Sequence, residues 1–95
     1  MTISEAYVTC VNPARLMTRL CKHWSHKFNV ELGEEKGSVA FPNGTCEFAV
    51  EPGVLQVNLH MPEENQVRMQ QVVAEHLQRM AGTEALTVEW RARLE

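Results

Sequence analysis

Between Pro13 and Lys27 the apolar residues recur at helical spacing, while the segments on either side alternate, and this change of period constrains the chain more than anything else in it. Leu16, Met17, Leu20, Cys21, Trp24 and Phe28 fall in one arc of about 140° on a helical wheel. Asn12 is a good N-cap and Pro13 suits the first helical position, so the start of the helix is well marked. A helix with one compact apolar face has to lie on another layer, and the rest of the chain must supply that layer.

The alternating segments provide it. Ser4 to Cys10 puts Ala6, Val8 and Cys10 on one side and Glu5, Tyr7 and Thr9 on the other, the pattern of a half-buried strand. After Lys27, Phe28, Val30 and Leu32 point inward against Asn29 and Glu31, and Gly33 to Gly37 turns the chain. Val39 and Phe41 lead to Pro42-Asn43-Gly44, an Asn-Gly hairpin signal, beyond which Cys46, Phe48 and Val50 continue inward. Pro52-Gly53 predicts a second tight turn before the row Leu55, Val57, Leu59 and Met61. These four strands read as a meander.

Pro62 opens a second helix with a core seam of Met69, Val73, His76, Leu77 and Met80, stopped by Gly82. Its outer face offers Glu64 with Arg68 and Glu75 with Arg79 at i,i+4. Leu86, Val88 and Trp90 suggest a closing strand. The order β-α-β-β-β-β-α-β predicts a single α+β domain over residues 1–95, a two-layer sandwich with both helices on one face of a mainly antiparallel sheet. The other face would be polar and mildly acidic, carrying Tyr7, Thr9, Asn29, Glu31, Thr45, Glu47, Gln56, Asn58, His60 and Glu89. Leu94-Glu95 has the form of a cloning scar.

Charge is distributed unevenly around that frame. Val11 to Val30 holds four of the nine Lys/Arg and no acid, in a chain with twelve Glu and a net charge of −3. On a continuous helix to Lys27, Arg15, Arg19, Lys22 and His26 line one stripe at i, i+4, i+7 and i+11, with His23 and Lys27 between it and the apolar arc. A solvated helix face ordinarily supplies Glu partners one turn away, and this one has none. Arg15, Arg19, Lys22, His23, His26 and Lys27 are therefore the expected ligand-binding residues, suited to an anionic small molecule or an anionic protein partner.

The spacing Cys21-x-His23-x-x-His26 brings zinc to mind, but on a helix Cys21 points roughly 160° from His23 and roughly 140° from His26, so the three cannot share one ion. No metal or cofactor is expected, and an ion held by His23 and His26 with ligands from elsewhere is the alternative. His76 reads as a hydrogen-bonded core residue and His60 as an exposed one. Three cysteines without regular spacing argue against a disulfide framework and for a reducing, cytoplasmic setting; Cys10 and Cys46 fall on inward strand phases. Neither a secretory h-region nor an apolar run near the ~20 residues of a membrane span occurs.

With these elements placed, the chain resembles a family of small bacterial proteins catalogued as domain of unknown function 2218. The resemblance is carried by Arg15 to Lys27 around Leu20-Cys21-Lys22-His23, by Phe41-Pro42-x-Gly44-x-Cys46, and by Val72-Val73-x-x-His76-Leu77-x-Arg79. Met80 stands where the family pattern has an aromatic. The resemblance implies a compact α+β domain of the TATA-box-binding-protein-like order, no known reaction, and an iron-uptake context involving siderophores. Three functional classes follow. A non-catalytic binding module comes first, using the cationic helix face. A small enzyme built on His23 or His26 comes second, although Ser25 and His26 at i,i+1 do not face each other. A nucleic-acid binder comes last, because the open sheet face carries Glu31, Glu47 and Glu89.

Overall fold

The structure is a computed structural model that describes residues 2–93. It has eight elements in the expected order: β1 (Thr2–Thr9), α1 (Pro13–Trp24), β2 (Asn29–Leu32), β3 (Lys36–Phe41), β4 (Gly44–Glu51), β5 (Val54–Met61), α2 (Glu63–Ala81) and β6 (Arg91–Arg93). The six strands form one antiparallel sheet of order β2-β3-β4-β5-β1-β6. Strands β2 to β5 are the meander. β1 is inserted beside β5, so α1 must cross the sheet to deliver the chain from β1 to the far edge at β2. Leu94-Glu95 lies outside the described residues.

Both helices cover one sheet face. The inward rows Ala6 and Val8, Val39 and Phe41, Cys46 and Phe48, and Leu55 to Met61 form one cluster with Leu16, Met17, Leu20, Cys21 and Trp24 of α1 and Val73 and Leu77 of α2. Leu20, Met17, Val73 and Leu77 are completely buried. The helix start is as expected: the Asn12 side-chain oxygen accepts the Arg15 amide at 3.1 Å, and Pro13 follows. α1 lies close to the sheet because β3 passes beneath it at Gly37, where a Cβ would stand 3.1 Å from Cys21 Sγ and 3.4 Å from Met17 Sδ. The two helices run antiparallel, since Leu16 of α1 lines a small pocket with Met80 of α2, whereas Trp24 lines a cleft with Asn65.

Four expectations require correction. The helix stops at Trp24: the chain turns through Ser25 to Lys27, with the Ser25 amide donating to Cys21 O and the Lys27 and Phe28 amides both donating to Trp24 O. His26 and Lys27 therefore leave the helical phase. The hairpin loop is Pro42-Asn43, with Phe41 opposite Gly44, and among the described residues no non-glycine has a positive φ. Proline fixes φ near −65°, so the observed Pro42-Asn43 loop is not a type I′ turn, and Pro42 has no amide to donate in the strand pair that an Asn43-Gly44 loop would close. Gly44 is instead required by close approach, because a Cβ there would overlap the His60 carbonyl. Leu86, Val88 and Trp90 pack on the core without strand pairing among the described residues, and β6 begins directly after Trp90, with Arg91 to Arg93 opposite Glu5 to Ile3. Neither Glu64–Arg68 nor Glu75–Arg79 closes to 4.0 Å; among the described residues the one such pair is Glu47–His60.

A buried polar residue without a periodic signature anchors α2. Gln66, 7% exposed, accepts from Ser4 Oγ at 2.7 Å, while its amide nitrogen donates to Thr2 O at 2.7 Å and Met61 O at 3.2 Å. The first turns of α2 are thereby tied to β1 and β5. Emptying the α1 face by Leu20→Ala is expected to cost ~2–5 kcal/mol in denaturant melts, and a loss below ~1 kcal/mol would place that face outside the core. Gln66→Ala leaves several buried groups unsatisfied and is expected to cost ~1–3 kcal/mol in the same measurement.

Candidate functional site

Where α1 ends and its chain turns toward β2, the helix layer opens into a cleft of about 730 Å³ between that turn, the β3–β4 hairpin and the first half of α2. This is within the range of small-molecule sites, about 300–1,000 Å³. Its apolar wall is a connected aromatic group. Trp24 meets Phe41 edge to face with centroids 5.1 Å apart, Phe41 meets Phe28 at 4.9 Å, and Trp24 lies 5.2 Å from the His76 ring. Trp24 is only 4% exposed and acts as a rigid backing, with Met61, Met69 and Val72 completing the wall. The charged or titratable lining among the described residues consists of His23, His26, Lys27, Arg68 and His76, with no carboxylate among them. Lys27 Nζ stands 5.8 Å from the centroid of the Phe28 ring.

The expected site residues are all exposed but do not form one site. His23, His26 and Lys27 border the cleft. Arg15 and Arg19 border a separate hollow of about 190 Å³ near the start of α1, together with Glu84, and Lys22 lines neither. Glu84 is also held by the Val11 amide at 2.9 Å, so the cationic face does have an acidic neighbour, contributed by the loop after α2. Arg68, Asn65, Asn43 and His76 join the cleft from other elements. Arg68 occupies an outward helical phase, and only the meeting of α2 with the α1 turn gives it a place in a site.

His76 departs partly from the core role expected of it. Its Nδ1 donates to Val72 O at 2.7 Å, which leaves Nε2 as the acceptor in the neutral ring. The ring is half-buried in the cleft wall, 5.6 Å from the His23 ring. Among the described residues no three His, Cys or Glu side chains converge as metal ligands. Cys21 is fully buried and packed toward Gly37, away from the exposed His23 and His26, and burial pushes its thiol up to about 11. Burial also raises Cys46 strongly and Cys10.

The open sheet face holds the only histidine–carboxylate pair within 4.0 Å among the described residues, His60 Nε2 to Glu47 Oε1 at 2.7 Å. Register places Ser38 directly opposite Glu47, so the order across the sheet is serine, carboxylate, imidazole. Ser38 and His60 are two strand spacings apart, roughly 10 Å, so the imidazole does not reach the hydroxyl. The same cross-strand row carries Glu31, Glu47 and Glu5.

Over residues 5–91 the chain matches the family described as "Uncharacterized protein conserved in bacteria (DUF2218)". It is also similar to the protein in the NMR structure of PA4090 from Pseudomonas aeruginosa, at 43% identity and a TM-score of 0.79 over 96% of each chain. No curated protein matches it.

The cysteines make a testable statement about alkaline stability. Burial raises the Cys21 thiol from 9.0 to about 11, so its contribution is complete below pH 9.0 and is lost as pH rises through that window. Urea melts at about pH 8 and about pH 10 should show a falling midpoint, and Cys21→Ala should lessen the fall.

Proposed function

This chain belongs to the bacterial family DUF2218, which carries no assigned activity, and we propose that it is a non-catalytic binding module that holds an anionic ligand on the cationic side of α1. The observation that carries the reading is the cleft at the end of α1, where every charged or titratable lining residue among the described residues is a cation or a histidine. Four cationic groups from α1 and its turn, Arg15, Arg19, Lys22 and Lys27, extend the same field along the helix, and Arg68 adds to it from α2. Arginine supplies two-point contacts to a carboxylate or phosphate, and lysine a point charge.

An enzyme built on His23 or His26 would need a carboxylate to orient the base or a nucleophile beside it, and the described residues lining the cleft supply neither. The carboxylate row on the open sheet face opposes a phosphate backbone, which leaves an anionic small molecule or protein partner as the favoured class. Three free, buried cysteines suit a reducing cytoplasm. Among the described residues no helix is long and apolar enough to cross a membrane. The iron-uptake context implied by the family resemblance enters as one arm of the ligand screen, with anionic siderophores beside simple organic acids.

Chemical-shift perturbation with citrate and an acidic peptide tests the reading. Shifts are expected at His23 to Phe28 and along the exposed side of α1, weakening with salt because such contacts are screened over about 8 Å at physiological ionic strength. The double reversal Lys22→Glu, Lys27→Glu should weaken binding by roughly tenfold or more. Shifts clustered at Asn58 and His60, or binding unchanged by the double reversal, would move the site elsewhere.

A further inference from the structure

The cleft is asymmetric in its chemistry, and that asymmetry bears on what kind of anion it takes. Its depth is apolar: Phe28, Phe41, Met61, Met69 and Val72, backed by the almost inaccessible Trp24. Its charged groups, Lys27 and Arg68, are exposed. Among the described residues no carboxylate lies within 4.0 Å of either. A fully hydrated anion such as phosphate would meet the charges and leave the apolar wall wet. A neutral apolar molecule would cover the wall and leave the charges unmatched. A protein partner would have to fill a recess, whereas a stable protein interface needs about 800 Å² of matching surface on each side.

We propose that the site is built for an amphiphilic carboxylate of metabolite size, with a flat aromatic or unsaturated body in the cleft and its carboxylate at the rim between Lys27 and Arg68. The proposal rests on the anion-binding reading above and specifies the ligand for it. The edge-to-face order of Trp24, Phe41 and Phe28 holds the wall rigid, so the planar body adds to an arrangement already fixed before binding. Met61 and Met69 are polarisable and can adjust to the outline of the body. The two cations come from different elements: the turn after α1 and the second turn of α2, whose position is tied down by Gln66. A head group held by both is therefore placed relative to the wall as well as attracted. The α1 end does not compete for the cations, because Cys21 O, Lys22 O and Trp24 O are all engaged by the turn.

The test uses three probes on the isotope-labelled full chain: 3-phenylpropanoate, which has ring and charge; 3-phenylpropanol, which has the ring alone; and inorganic phosphate, which has charge alone. 3-Phenylpropanoate is expected to shift Trp24 to Phe28, Asn43 and Asn65 to Met69 at a concentration roughly tenfold below either other probe, the effect of one charge-assisted contact. Arg68→Gln, at an exposed position, should remove about that tenfold advantage while leaving the remaining spectrum in place. If 3-phenylpropanol binds as tightly as 3-phenylpropanoate, the carboxylate has no role and the proposal is wrong. If phosphate shifts the amides of Arg15, Arg19 and Lys22 while 3-phenylpropanoate leaves the cleft unmoved, the module binds anions but this ligand class is overturned. If neither anion produces shifts on this side of the molecule, both readings fall together.

Discussion

The seating of α1 on the sheet is the contact on which the rest depends. Leu16, Met17, Leu20, Cys21 and Trp24 are each at most 5% exposed, and they cover the centre of a sheet whose own inward rows would otherwise face water. Burying a large aliphatic side chain is worth roughly 1.5–3 kcal/mol, so this one face outweighs any single polar contact in the molecule. Its closeness has a local cause in Gly37, which lets the backbone of β3 run directly beneath Met17 and Cys21. The depth of the helix in turn fixes where Trp24 lies, and Trp24 is the back wall of the cleft. Core and candidate site thus share a residue.

The element order and the meander were legible because each segment buries one side only, which stamps a period of two or 3.6 on the apolar residues. What the period did not carry were places where backbone chemistry decides. The α1 helix was expected to run on to Lys27 because Phe28 continues the apolar arc, yet the chain turns after Trp24 and Phe28 reaches the core from the turn. Asn43-Gly44 has the composition of a two-residue loop, but the proline before it has no amide to close the flanking strand pair, and the loop forms one residue earlier. Leu86, Val88 and Trp90 alternate like a strand and pack on the core, with no neighbouring backbone paired to them. Gln66 was invisible for the opposite reason: a polar residue in a helix reads as solvent-facing until the carbonyls of Thr2 and Met61 are seen beside it.

The candidate site was half legible. His23, His26 and Lys27 were picked out by a local excess of positive charge, a property of adjacent residues that survives without a fold. Arg68 and His76 came from a helix whose charge pattern is ordinary, and only the antiparallel packing of the helices brings them to the end of α1. The expected single stripe separates for a related reason. Arg15 and Arg19 share a hollow with Glu84, which is distant in sequence and so could not be counted as a neighbour on the helical wheel.

The position of β1 has a consequence for how the chain reaches this state. It precedes the other five strands in chain order, yet its partners in β5 run from Met61, opposite Thr2, to Val54, opposite Thr9. Pairing over such separations raises contact order, and the loop-closure entropy of that span has to be overcome before the ladder returns anything. During synthesis β1 therefore waits with Ala6, Val8 and Cys10 uncovered until the meander is finished, and β5 in turn offers a bare edge until β1 arrives. That interval leaves open a strand edge and an apolar row that the finished sheet covers, and with them a route to pairing with a second copy of the chain.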